Sequence, residues 1–245
     1  MTKPTLDVLL IATLANMLDG LNHVAVGAAS PIPAAAALLA REKSGGRLHV
    51  SILGSERHNP FTDGGKELFD CAAQGRIDAF FLGGGEIDGE ANINLVGVGG
   101  YPQSKIRWPG SFGSAYLYFL IPRVILFRDI HSPRVLVPKV EFVSAPGSSP
   151  GNVYRPGGPH ALVTSKAVFT FDRTKRRFCL ESLHPDQDLE DLIKTTGFAF
   201  DHDARPTTTS LPPPPIRSMI MDHIAPLVAG TYPQFAERLM QGTAH

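Results

Sequence analysis

A short apolar run that stops on glycine sets the frame for this chain. Ala79-Phe80-Phe81-Leu82 is followed at once by Gly83-Gly84-Gly85. An apolar run this short, closed by glycine, predicts a strand buried on both faces, as strands of a parallel sheet are. Consecutive glycines at its carboxyl end put no Cβ in the way, so a ligand or a second backbone can approach closely. In open α/β sheets that end of the strand is where ligands bind. Further on, Pro109-Gly110-Ser111-Phe112-Gly113-Ser114 forms a second glycine loop. Its N–H groups are suited to hold an anion or a developing oxyanion. The two loops together point to acyl or phosphate chemistry.

Around this strand the pattern alternates between helix and strand. Residues 5–18 carry apolar side chains at near-helical spacing, with Thr5 as the expected cap and Asp19-Gly20 as the stop. A strand is predicted from His23 to Gly27. A buried Ala/Leu-rich helix then starts at Pro31 with Ser30 as its N-cap. Residues 48–53 read as a strand ending at Gly54, and 66–74 as a helix stopped by Gly75. Residues 93–98 form a shorter strand, and 116–121 fit helix or strand equally. Residues 123–127 and 135–142 are β-rich, the latter edge-like because of Pro138. Residues 163–172 and 177–183 predict an antiparallel pair, followed by a short helix over 189–195. The expected fold is α/β, a mostly parallel open sheet with helices on both faces, over residues 1–205. Residues 206–245 contain Pro212-Pro213-Pro214-Pro215 and read as an extended arm leading into a C-terminal helical segment.

Composition excludes several classes. The chain has 245 residues, enough for one large core, and 23 Lys plus Arg against 23 Asp plus Glu. With no net charge, neither a nucleic-acid partner nor a membrane surface is expected. The N-terminal apolar run is too short and polar to span a bilayer, and no cleavage site follows it. Cys71 and Cys179, outside any Cys-x-x-Cys pair, read as buried thiols of a cytoplasmic protein. The nine histidines, His23, His49, His58, His131, His160, His184, His202, His223 and His245, show no zinc-type spacing, so no metal is expected. The glycine loop lacks the third glycine and the following helix of a dinucleotide fingerprint.

The order of the motifs resembles the β subunit of family I CoA-transferases, of the glutaconate CoA-transferase type, across roughly residues 5–205. The pieces are Gly27-Ala28-Ala29-Ser30-Pro31, the stretch Gly84-Gly85-Glu86-Ile87-Asp88 with Asn92 and Asn94 behind it, and the Pro109-Gly110-Ser111-Phe112-Gly113 loop. They continue with the segment from Lys139 to Gly147, the segment from Val163 to Asp172, and His184-Pro185 leading to Thr196-Gly197-Phe198. The chain also resembles the related two-subunit CoA hydrolases that open rings in steroid degradation.

The resemblance implies an enzyme that moves coenzyme A between carboxylic acids, or a CoA-ester hydrolase. It implies an α-type partner subunit, an acyl-CoA thioester as substrate, and no permanently bound cofactor. A glutamate would attack the thioester, and Gly110, Ser111, Phe112 and Gly113 would lie near its carbonyl. In the resembled subunits that glutamate follows the second long strand; here Ser51 stands in its place, and the nearest carboxylate is Glu56. A serine cannot form the anhydride. The carboxylate is therefore expected from Glu56, from Glu86 in the glycine loop, or from the partner, unless the chain only binds CoA or stabilises its partner. Gly83, Gly84, Gly85, Asn94 and Ser51 complete the expected binding residues. Asp88, Asn92 and Asn94 have a plainer role open to them, tying loop N–H groups. Lys105, Arg107 and Arg123 are candidates for gripping CoA phosphates.

Overall fold

A computed structural model describes residues 1–241; His245 lies outside the described residues. In chain order the elements are α1 (Lys3–Asn16), β1 (His23–Val26), α2 (Pro31–Lys43), β2 (His49–Ile52), α3 (Lys66–Ala73), β3 (Ala79–Leu82), β4 (Glu86–Ile87), β5 (Ile93–Asn94), β6 (Gly97–Val98) and β7 (Ile106–Arg107). There follow α4 (Ser114–Leu120), β8 (Arg123–Phe127), β9 (Pro159–Val163), β10 (Ala167–Asp172), β11 (Arg177–Leu183), α5 (Leu189–Thr195) and β12 (Thr207–Thr208). The chain continues through α6 (Pro214–Ser218), a π-helical turn (Met219–Ile224), α7 (Ala225–Ala229) and α8 (Pro233–Gln241).

Contacts divide the chain into two compact units. The first comprises Met1–Glu67, Arg76–Phe81 and the described residues from Ser210 on; the second comprises Leu68–Gly75 and Leu82–Thr209.

In the first unit β1 pairs with both β2 and β3, all parallel. Helix α2 is buried along nearly its whole length, from Ile32 to Ala40. It packs against α1 and against the π-helical turn and α7, and α8 packs against α1. The residues after Pro213 thus carry core side chains: Ile220, Ile224, Ala225 and Phe235 are buried. Pro214 at the start of α6 explains the entry into helix, since a proline there gives up an N–H that would have no intrahelical partner.

In the second unit β8 and β9 are parallel, β9, β10 and β11 antiparallel, and β12 parallel to β11. The β10–β11 hairpin turns where the sequence predicts, with Arg176 in the left-handed region at φ 54°. Fold class α/β holds for the chain.

The structure corrects several local expectations. Helix α1 starts two residues before Thr5, which is not its cap; Pro4 sits in the first turn. Ser30 does occupy the N-cap of α2, but its hydroxyl donates to Ala28 O at 3.2 Å instead of capping. Residues 93–98 split into two short strands: β5 pairs with β4, and β6 with β7. Residues 135–142 form no strand. Leu136 makes a single bridge to Ile87, and Pro138, without an N–H, cannot extend it. Residues 116–121 resolve as helix α4, and Val163 closes β9 instead of opening β10. Cys71 and Cys179 are free and half-buried, less enclosed than expected. No described helix is long and apolar enough to cross a membrane.

Candidate active site

In the first unit the site begins with two strands in register. His23 pairs with His49, and Ala25 with Ser51. Side chains alternate along a strand, so His23, His49 and Ser51 project from one face. Ser51 is completely buried, and its Oγ lies 2.8 Å from His23 Nε2. His23 Nδ1 lies 2.9 Å from the Arg76 carbonyl. A carbonyl only accepts, so Nδ1 carries the proton and Nε2 accepts from the Ser51 hydroxyl. Asp78 fixes the strand entry by accepting from the N–H groups of Asn22 and His23, at 2.7 and 3.0 Å. Burial, and secondarily His49, lowers the His23 pKa, so the ring is neutral at pH 7. The His49 ring stands edge-on to it with centroids 4.4 Å apart.

No sequence signature places a base beside Ser51; the structure supplies His23. The available signal is a histidine opening β1 and the pattern His49-Val50-Ser51 opening β2. Only the parallel register turns that pattern into a contact.

Glu56 follows Ser51 closely in sequence but not in geometry. Past β2 the chain turns at Gly54, which has φ 82°, and the N–H of Ser55 donates to Ile52 O at 3.1 Å. The Ile52 N–H donates to His58 O at 2.8 Å, which folds the turn back on the strand end. Glu56 stands exposed on this turn, and among the described residues its carboxylate makes no hydrogen bond or ion pair.

The second unit holds the glycine loops. Glu86 and Asn94 face each other across the β4–β5 pair. Asn94 Nδ2 donates to Glu86 Oε2 at 2.7 Å and to Gly97 O at 2.8 Å, while its Oδ1 accepts from Val96 and Gly97 N–H. The same Glu86 oxygen accepts from the Glu141 N–H at 2.9 Å. Both side chains are buried. Asp88 ties the next turn, accepting from the Glu90 and Asn92 N–H groups and from Asn92 Nδ2.

The glycines make room for protein. A Cβ on Gly85 would sit 2.2 Å from the Trp108 ring, and one on Gly84 would sit 2.7 Å from Glu86 O. Gly83 meets only Phe127 O, at 3.5 Å.

The 109–113 loop is more open. Gly113 takes φ 66° at the N-cap of α4, and a Cβ there would strike Phe69 at 2.3 Å. Gly110, Ser111 and Phe112 are exposed, with Phe112 at 77% and its ring 5.5 Å from Phe69. Among the described residues the N–H groups of Ser111 and Phe112 make no hydrogen bond. They are therefore free to meet an oxyanion. The structure gathers Ser51 with His23, and Glu86 with Asn94. It leaves Glu56 free and places the expected residues in separate compact units. No group of three or more His, Cys, Asp or Glu among the described residues is placed to hold a metal.

Residues 9–195 match the family described as Coenzyme A transferase. The chain is 30% identical over 153 residues to the second subunit of glutaconate CoA-transferase from Acidaminococcus fermentans, covering 60% of this chain and 56% of that one. It is 33% identical over 141 residues to the second subunit of 3-oxoadipate CoA-transferase from Pseudomonas knackmussii, covering 55% and 54%. The chain thus spans about half the length of the curated relatives it matches. Among solved structures, the decarboxylase AibA/AibB superposes with a TM-score of 0.76 at 25% identity, covering 98% of this chain and 99% of that one.

Proposed function

The chain belongs to the coenzyme A transferase family, and from this we propose that it is the β-type subunit of a two-chain enzyme that transfers CoA between carboxylic acids. The observation that carries the reading is the 109–113 loop, whose exposed Ser111 and Phe112 N–H groups are uncommitted, as a developing thioester oxyanion requires. In the reaction a carboxylate attacks the thioester carbon and expels the CoA thiolate, leaving an acyl anhydride. The thiolate then attacks the carboxylate's own carbonyl, releasing the first acid and leaving a thioester on the protein. Glu56 is the carboxylate this chain offers, being exposed and free of hydrogen bonds. Glu86 anchors the glycine loop, since its Oε2 already accepts two hydrogen bonds. Both curated relatives are one subunit of a transferase, which supports an α-type partner for this chain.

A second reading, CoA-ester hydrolysis with the carboxylate on the partner, is favoured by Ser51. Its hydroxyl is completely buried and donated to His23, so the position that resembles the transferase glutamate offers no nucleophile. The test is mass spectrometry of the purified complex after incubation with an acyl-CoA and trapping by borohydride or hydroxylamine. A mark on Glu56 that Glu56→Gln removes, together with its turnover, supports transfer through this chain. CoA release with no mark here, undiminished in Glu56→Gln, moves the conclusion to the second reading.

A further inference from the structure

The first unit contains a cavity of 340 Å³ whose charged lining is entirely basic. Arg41 reaches it from the last turn of α2, Arg47 and His49 from the start of β2, and Arg57 and His58 from the turn beyond. No carboxylate lines it. Among the described residues none of the three arginines makes an ion pair. Lys43, two residues from Arg41, does have an acid, Asp19 at 3.3 Å.

Isolated surface arginines satisfied by water are the ordinary alternative. Two observations count against it. The arginines line one concavity instead of dispersing over the surface. His58 Nε2, in the same lining, is buried and has no hydrogen-bond partner among the described residues. A buried polar atom without a partner is costly and calls for one. The His58 pKa is lowered, first by burial and then by Arg57 and Arg41, which reports the positive field around it.

We propose that this pocket, built by Arg41, Arg47, Arg57, His49 and His58, binds a phosphate-bearing anion. Guanidinium forks match phosphate oxygens in geometry. Three of them without a counter-charge favour a ligand with more than one negative charge, which a phosphate monoester or diphosphate carries and a single carboxylate does not. The 340 Å³ volume takes a diphosphate with room to spare. His49 lines the pocket and also packs edge-on against His23, so a bound anion lies one ring away from the Ser51 hydrogen bond. The assignment rests on the pocket alone and does not depend on the acyl-CoA reading.

The experiment is equilibrium dialysis of the full chain, with its partner where the two co-purify, against labelled inorganic pyrophosphate. One saturable site per chain is expected. Arg47→Gln and Arg57→Gln, both at exposed positions, should each weaken binding about tenfold, the loss of one charge-assisted contact. Arg57→Lys should recover part of the loss, and the His58 ring resonances should move on titration. No saturable binding at millimolar pyrophosphate in folded protein, or full affinity in the double Arg47→Gln, Arg57→Gln variant, overturns the site. Competition by CoA but not by dephospho-CoA supports the site and assigns it to the 3′-phosphate of CoA. Pyrophosphate binding that CoA leaves unchanged supports it as a site for a free phosphate anion. Because binding is read without turnover, a failed catalytic assay bears only on the proposed activity.

Discussion

His131 is buried, with Nδ1 2.9 Å from Thr164 Oγ1 and Nε2 3.0 Å from Thr196 Oγ1. Thr196 donates its own proton to Leu192 O, so it accepts from Nε2–H, and Thr164 donates to Nδ1. The ring is held neutral, its pKa lowered to about 4 by burial and then by Lys166. The unfolded chain binds a proton at this histidine near pH 6.5 and the folded chain only near 4. Stability is therefore full above about pH 6.5 and falls as the pH drops towards 4, by a total of about 3 kcal/mol from this group. Denaturant midpoints between pH 7 and 4.5 should show that decline, and His131→Gln should flatten it; an unchanged slope assigns the decline to other groups. Ser51→Ala removes the donor to His23 Nε2. It should cost about 1 kcal/mol of stability and raise the His23 pKa, read by NMR titration, because the hydroxyl favours the neutral ring. These partners are not legible in the sequence. Ser51 and His23 are separated by a helix and a turn, and nothing local records a hydrogen bond made across two strands.

Among the elements, the three glycines are legible as a close approach, but what approaches is not. Trp108 lies over Gly85, and its place is fixed by the Trp108 N–H donating to Val96 O at 2.9 Å. Gly85→Ala should push the indole aside at a cost of about 1–3 kcal/mol. Trp108 is the chain's one tryptophan, so its fluorescence should shift with the loss of stability; a stable variant with unchanged emission would remove the packing account. Helices read well where caps and periodicity coincide. In α5, Asp188 does accept from the Asp191 N–H. Residues 135–142 mislead because β-branched composition reports a preference for extended backbone, not the presence of a partner strand. Their backbone instead serves neighbouring loops: Val135 O accepts from Ile87 N–H, and Leu136 O accepts from Gly197 N–H.

For the molecule as a whole, the C-terminal residues are the clearest case of context overriding composition. Four consecutive prolines predict an arm, yet Ile224 beyond them is completely buried, in the π-helical turn that packs on α2. Ile224→Ala should destabilise the first unit by about 2–5 kcal/mol, as a cavity in a packed core does. A thermal midpoint equal to that of the unaltered chain would show the segment to be peripheral. Sequence pattern was enough for the α/β class, the principal strands and helices, the family and the positions of the glycine loops. All of these follow from local periodicity, turn chemistry and motif order. Packing had to establish that Ser51 is locked to His23, that Glu56 stands free, that Trp108 fills the glycine loop, and that three arginines share one pocket. The reason is physical: each depends on register or packing between segments apart in the chain, where a shift of one residue along a strand would turn the side chain to the opposite face.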